Sequence, residues 1–131
     1  MTVKAERLVE SDAPHILIVE DDEAMREFLA QAISRSGYYV EAVQDGAEAL
    51  RRVEEDHFDL LLTDIRMPGL DGIELARQAR RRVPGLCVLL VTAYAHDALG
   101  AGDLDGNRID VLSKPFNLTE LIDRVETFLP H

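Results

Sequence analysis

The 131-residue chain holds one cysteine, Cys87, which excludes an internal disulfide, and its setting "LCVLLV" marks the thiol as a small buried apolar group. Such sparing use of cysteine fits the cytosol. Positive charge is also scarce: 14 Lys and Arg stand against 25 Asp and Glu, a net charge of −11. A chain this acidic is poorly drawn to phosphate backbones or anionic membranes, which speaks against direct nucleic-acid binding. No apolar run nears the roughly 20 residues a membrane span needs, and the start "MTVKAERLVESDAP" lacks the apolar centre of a secretion signal. Low-complexity tracts and Ser/Gly linkers are missing. The histidines, His15, His57, His96 and His131, lack close metal-ligand spacing and read as surface or strand-end residues.

What is present is the composition of a folded domain, 47% hydrophobic and 30% charged. The length suits one domain, placed at residues 15–131 behind a flexible N-terminal arm of residues 1–14. After Pro14, "HILIVE" reads as a strand, and Met25, Phe28, Leu29, Ala32 and Ile33 then recur at helical spacing until Gly37. Met25 and Phe28 read as core or helix-packing residues. "YYVEAV", "FDLLLTD", "LCVLLVT" and "RIDVLS" supply four more strands. Between them lie the helical stretches "DGAEALRRVEEDH" and "GIELARQARRRVP", and at the end "NLTELIDRVETFL", with Asn117 and Glu120 spaced as a capping box. Arg80, Arg81 and Arg82 read as a solvated helix end favoured by the helix dipole. The fourth helix is the weak element, because "AHDALGAGDLDGNR" contains Gly100, Gly102 and Gly106. Each costs about 1 kcal/mol relative to Ala inside a helix, which predicts a short or irregular element.

Strands alternating with helices, several of them continuously apolar, predict an α/β fold in which helices cover both faces of a parallel sheet. In such a sheet, ligands bind beyond the carboxyl ends of the strands. The polar residues at those ends are few: Glu20, Asp21 and Asp22 after the first strand, Asp64 ending the third, Thr92 ending the fourth and Lys114 after the fifth. Two carboxylates about 4 Å apart repel by roughly 4 kcal/mol at an effective dielectric near 20, so the cluster calls for a cation. A hard divalent ion such as Mg2+ suits carboxylate oxygens and is commonly completed by phosphate. With a lysine and a hydroxyl beside it, the set suits phosphoryl chemistry, and Asp64 is its natural nucleophile.

The ordered motifs "VEDD", "LLLTDIRMPGLDG", "LLVTA" and "VLSKPF", with Lys114 placed 22 residues after Thr92, closely resemble the receiver domain of two-component response regulators, which are CheY-like. The resemblance implies a flavodoxin-like (βα)5 fold with strand order 2-1-3-4-5. It makes Asp64 the phosphoacceptor. Met25 and Arg26, four and five positions after Asp21, set the register of the acidic pair as Glu20 and Asp21, with Asp22 only a neighbour. Mg2+ (or Mn2+) would then be held by Glu20, Asp21, Asp64 and the backbone carbonyl of Arg66. Thr92 would bond a phosphoryl oxygen and Lys114 would pair with another, after a cis Lys114–Pro115 bond. The side chains of Arg66 and Tyr94 would tune phosphoryl lifetime.

The implied partners are a sensor histidine kinase or histidine phosphotransferase upstream, and a protein effector on the face formed by the fourth helix, fifth strand and fifth helix. A cytoplasmic monomer or weak dimer is expected, a phosphoacceptor switch and not a turnover enzyme. One departure concerns the switch: receivers carry Tyr or Phe three residues before the lysine, where this chain has Val111. The missing relay leads us to expect that the glycine-rich fourth helix is itself ordered or displaced. Since the chain ends on the fifth helix, a single-domain regulator is expected. Its "LLLTDI" and "VLSKPF" stretches also resemble alphaproteobacterial CpdR-type regulators, adaptors controlling ClpXP proteolysis. Two alternatives are the receiver portion of a hybrid histidine kinase and a degenerate receiver that binds partners without phosphorylation. A haloacid-dehalogenase-like phosphatase is disfavoured, because Arg66 stands where its second aspartate belongs.

Overall fold

The computed structural model describes residues 13–104 and 108–130. Most of the expected N-terminal arm, together with Gly106 and His131, therefore lies outside the described residues.

Five strands, β1 (His15–Val19), β2 (Tyr39–Val43), β3 (Leu60–Asp64), β4 (Cys87–Thr92) and β5 (Ile109–Ser113), form one parallel sheet in the order β2-β1-β3-β4-β5. Among the described residues, four α-helices cover it: α1 (Glu23–Arg35), α2 (Gly46–Glu55), α3 (Gly72–Arg82) and α4 (Leu118–Phe128). The crossover from β4 to β5 is a 3₁₀ helix, Ala95–Leu104. Runs of 3₁₀ helix beyond a single turn are uncommon because their hydrogen bonds are poorly aligned. Glycine at positions 100 and 102 explains why this crossover gains so little from the α alternative. The expected short or irregular fourth helix is thus found, and the last α-helix of the chain is α4.

The helix starts follow from side chains. Asp22, Asp45, Asp71 and Asn117 each accept a backbone N–H three residues ahead, and Asn117 with Glu120 completes the expected capping box. The strands alternate between the two faces of the sheet. Leu17, Val19, Leu61, Val88 and Leu90 pack with α2, α3 and Leu104 of the 3₁₀ segment. Ile16, Ile18, Leu60, Leu62, Leu89 and Val91 pack with Leu29 and Ile33 of α1 and with Leu121 and Val125 of α4. Every residue of β3 and β4 is buried, as a sheet covered on both sides demands. Each such leucine or isoleucine contributes about 1.5–3 kcal/mol relative to exposure. Cys87 is buried, as expected.

Two expectations for the helices are corrected. Phe28 is 46% exposed, because the inward stripe of α1 is carried by Leu29 and Ile33, and the residue before Leu29 turns outward. Arg80 is half-buried and engaged: its guanidinium reaches from α3 to the carbonyls of Leu86 (3.0 Å), Leu104 (3.0 Å) and Arg108 (2.5 Å). It ties both ends of the β5 approach to α3. No helix among the described residues is long and apolar enough to cross a membrane.

Candidate functional site

Parallel strands send their carboxyl ends to one rim, and the polar strand-end residues meet there. The acidic loop leaves β1 with the Glu20 N–H still bonded to the Val43 carbonyl of β2 at 3.1 Å. Glu20 is 3% exposed. The α1 helix clasps the loop through Arg26, whose Nη1 donates to the Glu20 carbonyl at 2.9 Å and to that of Asp21 at 3.5 Å. Asp22 is occupied elsewhere, its carboxylate accepting the Met25 N–H at 2.8 Å as the cap of α1.

Asp64 ends the central strand and is nearly buried. The following chain turns at Gly69, whose φ of +78° lies in the region glycine tolerates, and returns as α3 so closely that a Cβ on Gly72 would stand 2.1 Å from the Asp64 carbonyl oxygen. This explains the glycines of "MPGLDG": the second lets a helix terminus rest on the backbone that presents Asp64. From the other side comes Lys114, whose N–H bonds the Thr92 carbonyl at 2.8 Å and whose bond to Pro115 is cis, as the resemblance implied. Its Nζ lies 3.1 Å from Asp64 Oδ2 and 3.8 Å from Glu20 Oε1.

One carboxylate oxygen each from Glu20, Asp21 and Asp64 lies within 4.8 Å of the others. Burial, with the Asp64 charge beside it, pushes the Glu20 carboxyl up to about 7, despite the N–H of Asp22 and the ammonium of Lys114. One lysine therefore does not balance the cluster. Three convergent hard oxygen donors with excess negative charge fit a divalent cation such as Mg2+.

Thr92, Arg66 and Tyr94 are drawn to a residue the sequence reading missed. Asp97, in the 3₁₀ segment, receives Arg66 Nε at 2.7 Å and Nη2 at 3.1 Å, and lies 3.2 Å from the Thr92 hydroxyl. The Arg66 guanidinium also sits 4.1 Å over the Tyr94 ring. Arg66 and Tyr94 thus stack on each other, and the Arg66 side chain also engages Asp97. Only the opposite charges of Arg66 and Asp97 hinted at this, 31 residues apart. Val111 packs against the apolar cluster on the α2–α3 face.

Known proteins are similar to this chain in sequence and fold. The response regulator receiver domain profile matches residues 16–126. The response regulator receiver protein CpdR of Brucella abortus is 47% identical over 115 residues, covering 87% of this chain and 95% of that protein. The response regulator MprA of Mycobacterium ulcerans is 42% identical over 87% of this chain, which spans only 49% of MprA. Among solved structures, the response regulator TrrA of Thermotoga maritima, in complex with Mg2+ and BeF, superposes with a TM-score of 0.76 at 30% identity, covering 88% of this chain and 99% of that one.

Proposed function

The chain belongs to the response regulator receiver domain family of two-component systems, and on that premise we propose that it accepts a phosphoryl group on Asp64 and signals by phosphorylation-dependent contact with another protein. The observation that carries this reading is the ammonium of Lys114, 3.1 Å from Asp64 Oδ2, inside a carboxylate cluster at the tip of the central strand.

The donor is a phosphohistidine on a sensor histidine kinase or histidine phosphotransferase. An Asp64 carboxylate oxygen forms the new bond to phosphorus as the phosphorus–nitrogen bond breaks, and the freed imidazole nitrogen takes its proton from solvent. Glu20, Asp21, Asp64 and the Arg66 carbonyl would hold Mg2+ (or Mn2+). The ion supplies charge neutralisation for the phosphoryl oxygens. Lys114 pairs with one of these oxygens and Thr92 donates its hydroxyl to another, both from positions fixed by backbone bonds at the rim. The near-buried setting of Asp64 keeps the approach narrow, and β3 holds the nucleophile still. The protein acts in the cytoplasm as a switch with at most self-catalysed phosphotransfer and dephosphorylation, and its output face runs along the 3₁₀ segment, β5 and α4.

Intact mass before and after treatment with acetyl phosphate and Mg2+ tests the assignment. The wild type should gain one phosphoryl unit and Asp64→Ala none. A gain that persists in Asp64→Ala would refute the site.

A further inference from the structure

The Thr92 hydroxyl has one proton, and in this structure the 3₁₀ segment engages it. Its oxygen lies 3.2 Å from the Tyr94 carbonyl and 3.2 Å from Asp97 Oδ2, and it accepts the Tyr94 N–H at 3.0 Å. Asp97 is held in turn. Its backbone N–H donates to the Tyr94 carbonyl at 2.9 Å, and its side chain, 13% exposed, takes two bonds from the Arg66 guanidinium. His96 Nε2 stands 3.6 Å from its other oxygen. The Arg66 partnership keeps the Asp97 carboxyl below its ordinary range, so it is ionised at neutral pH. Thr92 is therefore tied to the first turn of the 3₁₀ segment by a carboxylate that a cation holds in place.

A phosphoryl group on Asp64 carries roughly −1.5 to −2 charge and strong acceptor oxygens. It competes with Asp97 and the Tyr94 carbonyl for the Thr92 proton, and of these two only Asp97 is a charged acceptor. Val111 offers no alternative relay, since an aliphatic side chain in the apolar cluster has no polar group to exchange and no ring to swing.

Resting on the reading of Asp64 as phosphoacceptor and Thr92 as phosphoryl ligand, we infer that Asp97 is the positioning residue that reports phosphorylation. Held by Arg66, it keeps Thr92 and the 3₁₀ segment in the unphosphorylated arrangement, and loss of the Thr92 hydroxyl to the phosphoryl group frees the Ala95–Leu104 crossover.

Competition fixes a sign that a merely structural role does not. If Asp97 opposes the active arrangement, removing it must tighten binding of a phosphoryl mimic. Asp97→Ala should bind beryllofluoride with Mg2+ at least about fivefold more tightly than wild type. Without beryllofluoride, its amide signals over residues 95–104 should already lie displaced toward the positions wild type reaches with it. In a Thr92→Val background the gain should vanish, because no proton is left to contest. Asp97→Glu should restore wild-type affinity at least in part. If Asp97→Ala fails to fold, Asp97→Asn carries the same test, since it keeps the shape and loses the charge that holds Arg66. Unchanged or weaker beryllofluoride binding in a variant that takes up phosphoryl by mass would overturn the role of Asp97 alone. Absence of phosphoryl uptake in the wild type would overturn the Asp64 reading and this inference with it.

Discussion

The two crossovers that flank Asp64 are built on opposite plans. The one after β3 begins with a glycine pressed on the Asp64 backbone, is capped by Asp71, and buries Ile73, Leu75, Ala76 and Ala79 along α3. The one after β4 is a 3₁₀ helix with few apolar anchors, Leu104 and the partly buried Ala98, and polar ties at both ends: Arg66 to Asp97 at its start, and Arg80 to the Leu104 carbonyl at its end. Carbon packing has no substitute partner and holds its place, whereas a hydrogen bond can be exchanged for another of similar strength. One plan fixes Asp64 by packing, and the other holds its segment largely by exchangeable polar contacts.

Two glycines put that contrast to the test. In Gly72→Ala the new methyl carbon would stand 2.1 Å from the Asp64 carbonyl oxygen and 2.9 Å from Ile65 Cα, both backbone atoms that no rotamer change can move. A cost of about 1–3 kcal/mol is expected, read as a lower urea midpoint at unchanged m, together with slower phosphoryl uptake on Asp64.

The next effect belongs to the fixed half. The Glu20 carboxyl, raised to about 7 by burial and the nearby Asp64 charge, is largely protonated below that pH in the folded protein. A divalent cation must then displace a proton, so Mg2+ affinity should fall about tenfold per pH unit below 7. Calorimetry in buffers of different ionisation heat should register proton release on Mg2+ binding at pH 6 and little at pH 8.5. Stability of the metal-free protein should move in the same window. The folded state holds the proton more tightly than the unfolded chain, so this group's contribution declines as pH rises from about 4.5 to about 7. Affinity that stays level from pH 5.5 to 8, or is unaltered in Glu20→Gln, would contradict the assignment.

The smallest effect is expected in the other crossover. A Cβ on Gly102 meets nothing within 4 Å, and removing a glycine restricts the unfolded chain. Gly102→Ala should therefore be neutral or stabilising by about 0.4–1 kcal/mol in the same urea measurement. If it destabilises as much as Gly72→Ala, the contrast between the two crossovers is wrong.

Much of this was legible before any coordinates. Apolar runs such as "LLL" and "VLLV", alternating with helical stretches, read as strands covered on both sides, and a parallel sheet brings Glu20, Asp21, Asp64, Thr92 and Lys114 to one rim. Asp97 was not legible, because its place depends on the pitch of an irregular crossover in a glycine-containing segment. Arg80 misled for a related reason. Three consecutive arginines look equally solvated in a string of letters, yet helical rotation turns only one of them toward the Leu86, Leu104 and Arg108 carbonyls. Phe28 erred the other way, since helical spacing admits it to the apolar stripe while the width of that stripe on α1 does not.

The division of the core into two clusters has a consequence of its own. Leu104 and the partly buried Ala98 pack on the α2–α3 side, while α1 with its Leu29 and Ile33 belongs to the cluster across the sheet. The sheet acts as a bulkhead between them. Were the crossover to rearrange, it would unpack carbon on the α2–α3 side alone, and the packing beneath α1 would be left as it is.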